Sequence, residues 1–329
     1  MNAMQFPVQS NASPCHRPKR FVFLLLNNFS QLGFTCALEA LSLANGYKGK
    51  TYYSWQTVSE DGNPVASENG MSINVDAGLC SLDRRDTIVV CGGANIAATS
   101  TLKILNWLRR ETRKGVSCGG ISSAAYTLAI AGLLKDKHAT IHWEHHKAFA
   151  EIFPEIELRE TIFSVENNRF TCAGGASSID MILYMIAQDY GDDLANWVAD
   201  RMVYTTPRTM AHTQKMAIHC RTGARHIKFS QAIDMMRCNI EAPLSPTRVA
   251  QKVGLSARQL ERLFRKNLNT TPKSFYLHLR LENARNLLLQ TNMSIMDICL
   301  STGFNSSSHF SRCYRHQFGV SPVSEKLMS

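Results

Sequence analysis

The chain has 329 residues, 44% hydrophobic and 19% charged. That is enough for at least one full core and, by size, two domains, which excludes a disulfide-stapled miniprotein and a disordered chain. The net charge of +10 is unevenly placed. Residues 1–200 hold 17 basic against 20 acidic side chains, a net of −3, whereas residues 201–329 hold 19 against 6, a net of +13. A basic segment of ordinary globular composition points to a polyanion partner, because neutralising phosphates releases counterions; the plain alternative is a basic surface kept for solubility.

Residues 1–19 read as a disordered tail without a secretory signal. The first apolar run, Phe21 to Leu26, is far short of the roughly 20 residues that span a bilayer, so a soluble, cytoplasmic protein is expected. Ten cysteines are scattered without a CxxC pair. Several lie in apolar runs (Cys36, Cys91, Cys299), which suits buried thiols in a reducing compartment.

Between about 20 and 190 short apolar runs alternate with amphipathic stretches. Phe21 to Leu26 predicts a buried parallel strand, followed by a helix over Leu32 to Asn45. Tyr53 to Ser59 and Met71 to Val75 predict edge strands flanking the turn Asp61-Gly-Asn-Pro64. Asp86 to Cys91 predicts a strand that delivers Gly92-Gly93 to a loop. Then come a helix over Thr101 to Lys114, a strand over Gly115 to Ile121, a helix over Ser122 to Ala131 and a strand near Phe170 to Ala173. Met181 to Ile186 reads as core. The pattern predicts a doubly wound, flavodoxin-like α/β domain with its site at the strand ends. From about 190 strand signals vanish: a docking helix begins at Asp192, a connector breaks at Thr206-Pro207 and Thr222-Gly223, and residues 230–329 read as all helical. The expected division is therefore 20–200, a connector over 201–229, and 230–329.

The basic half contains a repeat at an offset of about 50. Leu260, Arg262, Phe264, Arg265, Leu268 and Pro272 fall on Phe310, Arg312, Tyr314, Arg315, Phe318 and Pro322. Each copy has the parts of a helix-turn-helix. Ser245-Pro246 opens a helix with Val249, Ala250 and Val253 inward, Gly254 permits the turn, and Ser256 caps a second helix with Gln259 as capping-box partner. Leu260, Leu263 and Phe264 form its buried stripe, leaving Arg258, Gln259, Glu261, Arg262 and Arg265 outside, residue types that suit major-groove base edges. In the second copy Ser294 opens a helix with Ile295 and Ile298 inward, Gly303 turns, and Ser306 begins a helix bearing Ser307, Ser308, Ser311 and Arg312. A solvated helical bundle is the bland alternative, which two copies with matched polar faces disfavour. The helix between them, about Lys273 to Gln290, spans roughly 25 Å at 1.5 Å per residue, suited to setting two reading helices roughly 34 Å apart in successive major grooves.

Through Leu255-Ser-x-Arg-Gln-Leu-x-Arg-Leu-Phe264 and Gly303-Phe-x-Ser-x-x-x-Phe-Ser-Arg312 the chain resembles the AraC/XylS transcriptional regulators over roughly 230–325. The resemblance implies double-stranded DNA as partner, contacted through Arg258, Glu261 and Arg262 in the first unit and Ser307, Ser308, Ser311 and Arg312 in the second. Three serines open the second reading helix, which favours backbone anchoring over base reading there.

Phe23-Leu-Leu-Leu-Asn-Asn-Phe29, Leu38-Glu-Ala-Leu-Ser-Leu-Ala-Asn45, Val89-Val-Cys-Gly-Gly93, Gly132-Leu-Leu134, Thr140-Ile-His-Trp-Glu144 and Cys172-Ala-Gly-Gly175 resemble the PfpI-type, class I glutamine-amidotransferase-like domain, in its GlxA-like branch fused to AraC-type domains. Enzymatic members carry a Cys nucleophile on a tight strand-to-helix turn with an acid or His nearby. Here that turn is Gly119-Gly-Ile-Ser-Ser-Ala-Ala125. The nucleophile position falls on Ser122, Ser123 follows where a His would stand, Cys118 is four residues early, and Gly33 occupies the place of the acid partner. The resemblance thus implies a catalytically silent sensor without a cofactor, the alternative being a bifunctional protein that keeps amidase or hydrolase-like activity. Expected ligand-lining residues are Gly92, Gly93, Ala94, Ser122, Ser123, Tyr126, His142 and Trp143, with helix N–H donors for a carboxylate and an aromatic face for a cationic amine. Related regulators respond to amino acids such as arginine or to quaternary amines such as glycine betaine and carnitine, so a zwitterionic nitrogen compound is expected. The resemblance further implies a homodimer, an activator role and RNA polymerase as partner. His142-Trp-Glu-His-His146 lacks the order of a zinc motif, so no metal site is expected and packing or capping roles suit these histidines better.

Overall fold

A computed structural model of the chain describes residues 17–214, 227–291 and 293–328. The tail before residue 17 and the break at Thr222-Gly223 lie outside the described residues. The first half is a six-stranded sheet built from β1 (Lys19–Leu25), β2 (Tyr53–Val58), β5 (Thr87–Cys91), β6 (Ser117–Ile121), β9 (Phe163–Glu166) and β10 (Arg169–Cys172), in the order β2-β1-β5-β6-β10-β9. All neighbours are parallel except β9, which runs antiparallel to β10. The expected doubly wound α/β architecture is present. Its strand order reverses between β1 and β5, the switch point outside which such sheets bind ligands.

The continuous apolar run of β1 follows from burial on both faces. Phe21, Phe23 and Leu25 pack with α1 (Gln31–Ala44), α6 (Ser177–Tyr190) and α7 (Asp192–Arg201) on one side. Val22, Leu24 and Leu26 pack with α2 (Ile96–Thr99), α3 (Leu102–Arg113), α4 (Ala125–Ile130) and α5 (His146–Ile152) on the other. The run Met181 to Ile186 is core, as part of α6.

Two expectations are corrected. Tyr53 to Ser59 forms the edge strand, but Met71 to Val75 does not flank it in the sheet. Only β4 (Ser72–Ile73) is extended there, paired with β3 (Val65–Ala66) in a separate hairpin, just as β7 (His138–Ala139) pairs with β8 (Glu157–Leu158) outside the main sheet. Two-residue strands leave too little apolar surface to join a buried sheet. The predicted helix from Ser122 begins as a 3-10 turn over Ser122–Ala124 and becomes α4 only at Ala125. Strand β9 was not anticipated; its signal is Asn167-Asn168 between the runs Phe163 to Glu166 and Arg169 to Cys172, with Asn167 at φ 55, the chemistry of a tight hairpin.

The second half is helical: α8 (Ile227–Cys238), α9 (Pro246–Lys252), α10 (Ala257–Leu268), α11 (Pro272–Gln290), α12 (Ile295–Ser301), α13 (Ser307–Phe318) and α14 (Pro322–Met328). α9 and α10 are the first helix-turn-helix; α12 and α13 are the second. Val249, Ala250, Val253, Leu260, Leu263 and Phe264 make one core with Phe229 and Met236 of α8. Ile298, Phe304, Phe310 and Tyr314 make another with Leu281 and Leu288 of α11. The 19-residue α11 is shared, giving Tyr276 to the first core and Leu281 onward to the second, so it is the strut that spaces the two units.

Candidate functional sites

On α10 the Ser256 hydroxyl accepts from the Gln259 N–H and the Gln259 side chain accepts from the Ser256 N–H, at 2.8 Å for the latter. The three apolar residues spaced along the helix are buried, which turns Arg258, Glu261, Arg262 and Arg265 to solvent. Glu261 accepts from Arg265 at 3.1 Å across one helical turn, an exposed pair worth little and open to exchange for a base or phosphate. Gln259, expected both as capping-box partner and on the reading face, forms the capping box. Its Oε1 is committed to the cap, and bidentate reading of adenine needs both the amide oxygen and nitrogen, so Gln259 shapes the helix start.

On α13 the Ser306 hydroxyl accepts from the His309 N–H, and Phe310 and Tyr314 are fully buried. Ser307, Ser308 and Arg312 are exposed and Ser311 is half-buried. Ser308, Ser311, Arg312, Arg315 and His316 line an open concavity of about 460 Å³. Arg315 and His316 extend the basic face one turn beyond the anticipated residues; the sequence signal was the repeat itself, which pairs Arg315 with Arg265. Gly303 makes the turn at φ 75, where an added Cβ would lie 2.5 Å from the Ile240 carbonyl oxygen.

At the carboxyl ends of the sheet, Ser122 follows β6 directly with φ 63, a left-handed backbone that a serine adopts at a cost of order 1–3 kcal/mol. Gly174 packs against this elbow so closely that a Cβ there would lie 2.8 Å from Ser122 Cβ. Ser123 is fully buried and its hydroxyl donates to the Gly93 carbonyl at 2.7 Å, so it ties two loops together and turns no group to solvent. Gly92 and Gly93 are buried as well; a Cβ on Gly93 would fall 1.8 Å from the Asn28 carbonyl oxygen. Gly33 lies on α1 facing the elbow, with a hypothetical Cβ 2.7 Å from Ile121 Cγ2, and places no carboxylate there. Cys118 is buried in β6, its thiol pushed up to about 12 by burial, far from the thiolate a nucleophile requires.

The remaining anticipated residues are split. Ala94 is exposed beside the elbow. Tyr126 is half-buried on α4, its ring 5.5 Å from Phe153. His142 is held neutral, pushed down to about 4 first by burial and then by His145. Trp143 is 45% exposed and lines a small recess with His146, Glu160 and Gln214. His142 precedes α5, so His142 and His146 are not one turn apart on a helix. Among the described residues no three His, Cys, Asp or Glu side chains converge as for a metal, and the eight described cysteines are free thiols. A second recess, of about 220 Å³, was not anticipated. It opens beyond β1 and β2 and is lined by Asn27, Ser59, Glu60, Asp61, Asn63 and Thr101 among others. Its sequence signal is the polar run Ser59 to Asn63 that leads from β2 into the turn.

Comparison with known proteins follows this division. Residues 19–188 match the DJ-1/PfpI family and residues 249–324 match a helix-turn-helix domain family. The HTH-type transcriptional regulator CdhR of Pseudomonas aeruginosa is 40% identical over 94% of this chain and 91% of its own. The HTH-type transcriptional regulator GlxA of Rhizobium meliloti is 35% identical over 97% of this chain and 98% of its own. The crystal structure of an AraC family transcriptional regulator from Pseudomonas putida, 27% identical, superposes on 56% of this chain and 100% of that one with a TM-score of 0.51. No described helix is long and apolar enough to cross a membrane.

Proposed function

Because the chain belongs to the AraC-type helix-turn-helix transcriptional regulators with an N-terminal DJ-1/PfpI domain, and so binds DNA, we propose that it is an activator whose α/β domain senses a small nitrogen-containing metabolite, an amino acid or quaternary amine, without performing chemistry on it. The observation that carries the sensing half is the elbow: its strained backbone is kept, yet it bears Ser122 with no carboxylate at Gly33. A serine has no accessible anion near neutral pH without a base. A cationic ligand suits the surroundings. Glu60 and Asp61 rim the recess at the strand ends, and a volume below the roughly 300 Å³ of drug-sized sites fits a small metabolite. On the DNA side Arg258, Glu261 and Arg262 read bases, while Ser307, Ser308, Ser311 and Arg312 anchor the second unit to the backbone. The protein works in the cytoplasm as a homodimer and recruits RNA polymerase.

Thermal-shift screening of the full chain against amino acids and methylated amines tests the sensing role. A binder raises the melting temperature, and Glu60→Gln with Asp61→Asn abolishes the shift. Binding that ignores both changes would refute the recess as the site. The retained elbow geometry also favours a second reading, residual hydrolysis at Ser122, which predicts amide turnover lost in Ser122→Ala.

A further inference from the structure

The two helix-turn-helix units are finished differently. In the first, the turn carbonyl of Gly254 accepts from Lys228 Nζ of the adjoining α8 at 2.9 Å. In the second, Arg280 of α11 donates to the Thr302 carbonyl at 2.8 Å, but the neighbouring Ser301 carbonyl, at the end of α12, accepts from Lys147 Nζ at 2.9 Å. Lys147 belongs to α5 of the α/β domain. The next residue, Ala148, is 4% exposed and buried in the apolar cluster of the second unit with Leu281, Leu288, Ile298 and Phe310. A cation at a helix C-terminus is favourable, and here the α/β domain supplies it.

The underside of α5 faces the strand-end region. Ala148, Phe149 and His145 meet Ile96 and Tyr126 around a void of about 10 Å³, and Ile96 packs against Gly92 at the end of β5. One short helix thus touches both the wall of the sensing region and the second DNA-reading unit. Among the described residues the contact rests on a seven-residue helix, through the Lys147 hydrogen bond and the buried Ala148. It also costs desolvation of the Lys147 ammonium, which Glu151 and Glu241 partly offset. Such an interface opens readily. While closed it keeps a body of net charge −3 beside the unit that must approach phosphates.

We infer that α5 is a latch: through Lys147 and Ala148 the sensor domain holds the second helix-turn-helix in a restrained position, and its release frees that unit to engage DNA. The inference rests on the DNA-binding role and is independent of which metabolite is sensed.

Two variants of the full chain test it. Ala148→Arg forces a large charged side chain into the contact, and Lys147→Met keeps its bulk without the hydrogen bond. Amide hydrogen exchange over Ser301–Phe304 is expected to rise about tenfold in Ala148→Arg, with exchange over α9 and α10 unchanged. Affinity for a DNA site selected by the wild-type chain is expected to rise about fivefold. Lys147→Met should shift both readouts in the same direction to a smaller extent, and it decides the matter should Ala148→Arg fail to fold. Unchanged exchange at Ser301–Phe304 would mean that the domains are not held together there. Raised exchange with equal or weaker DNA binding would mean that Lys147 completes the unit instead of restraining it. Either result overturns the latch. Wild-type binding to the selected site checks the DNA-reading assignment separately.

Discussion

The connector leaves the α/β domain under the control of one buried carboxylate. Asp180 on α6 is 1% exposed and accepts from the Tyr204 hydroxyl at 3.0 Å, the Arg208 backbone N–H at 2.7 Å, and Arg208 Nε and Nη2 at 3.0 and 2.7 Å. Downstream, Gln214 Nε2 donates to the Ile141 and Thr161 carbonyls at 2.8 and 3.0 Å, so residues 204–214 are strapped across the domain. Asp180→Asn keeps the shape and removes the charge, leaving the Arg208 guanidinium without its counter-ion. Hydrogen bonds to a charged partner contribute about 1.5–3 kcal/mol. Because the Arg208 side chain is 31% exposed, water recovers part of the loss, so a destabilisation of about 2 kcal/mol is expected. For a domain of this size that lowers the melting temperature by roughly 4–8 °C. Calorimetry of the full chain measures it, and proteolysis within 204–214 should accelerate in parallel. Replacing both partners, Asp180→Leu with Arg208→Met, should cost much less than Asp180→Leu alone, since an apolar pair leaves no buried charge unpaired. A melting shift below about 1 °C in Asp180→Asn, or additive losses in the pair, would refute the carboxylate as the anchor.

Below pH 6.5 the unfolded chain protonates His142 while the folded chain resists down to about 4. The unfolded state then binds more protons, so stability is full above pH 6.5 and falls as pH drops toward 4. The loss is about 2 kcal/mol after discounting for the solvent that reaches the ring; urea unfolding at pH 7 and pH 4.5 should show it, and His142→Gln should flatten that part of the profile. Gln259→Ala should lower stability by about 0.5–1 kcal/mol through the lost capping box and leave the preferred DNA sequence unchanged, as a randomised-site selection would show; a changed preference at one base pair would restore Gln259 as a reader.

The reading helices were legible in the sequence because their causes are local. Apolar spacing in Leu260, Leu263 and Phe264 fixes which face is buried, Ser256 and Ser306 fix where each helix starts, and Gly254 and Gly303 permit the turns. The repeat then exposed Arg262 and Arg312 on equivalent faces. The parallel strands were legible for a similar reason, since burial on both faces demands an unbroken apolar run such as Phe21 to Leu26. What the sequence left undecided depends on contacts between distant segments. Gln259 read both as cap and as base reader, and only the structure shows its oxygen held in the cap. Ser123, Gly92 and Gly93 looked like pocket walls, yet close packing of two loops buries them. The recess bearing Glu60 and Asp61 exists only because β2 lies beside β1 and past α3. The pairing of Lys147 with Ser301, 154 residues apart, is set by docking of one domain on another, and no local pattern of charge or hydropathy encodes it.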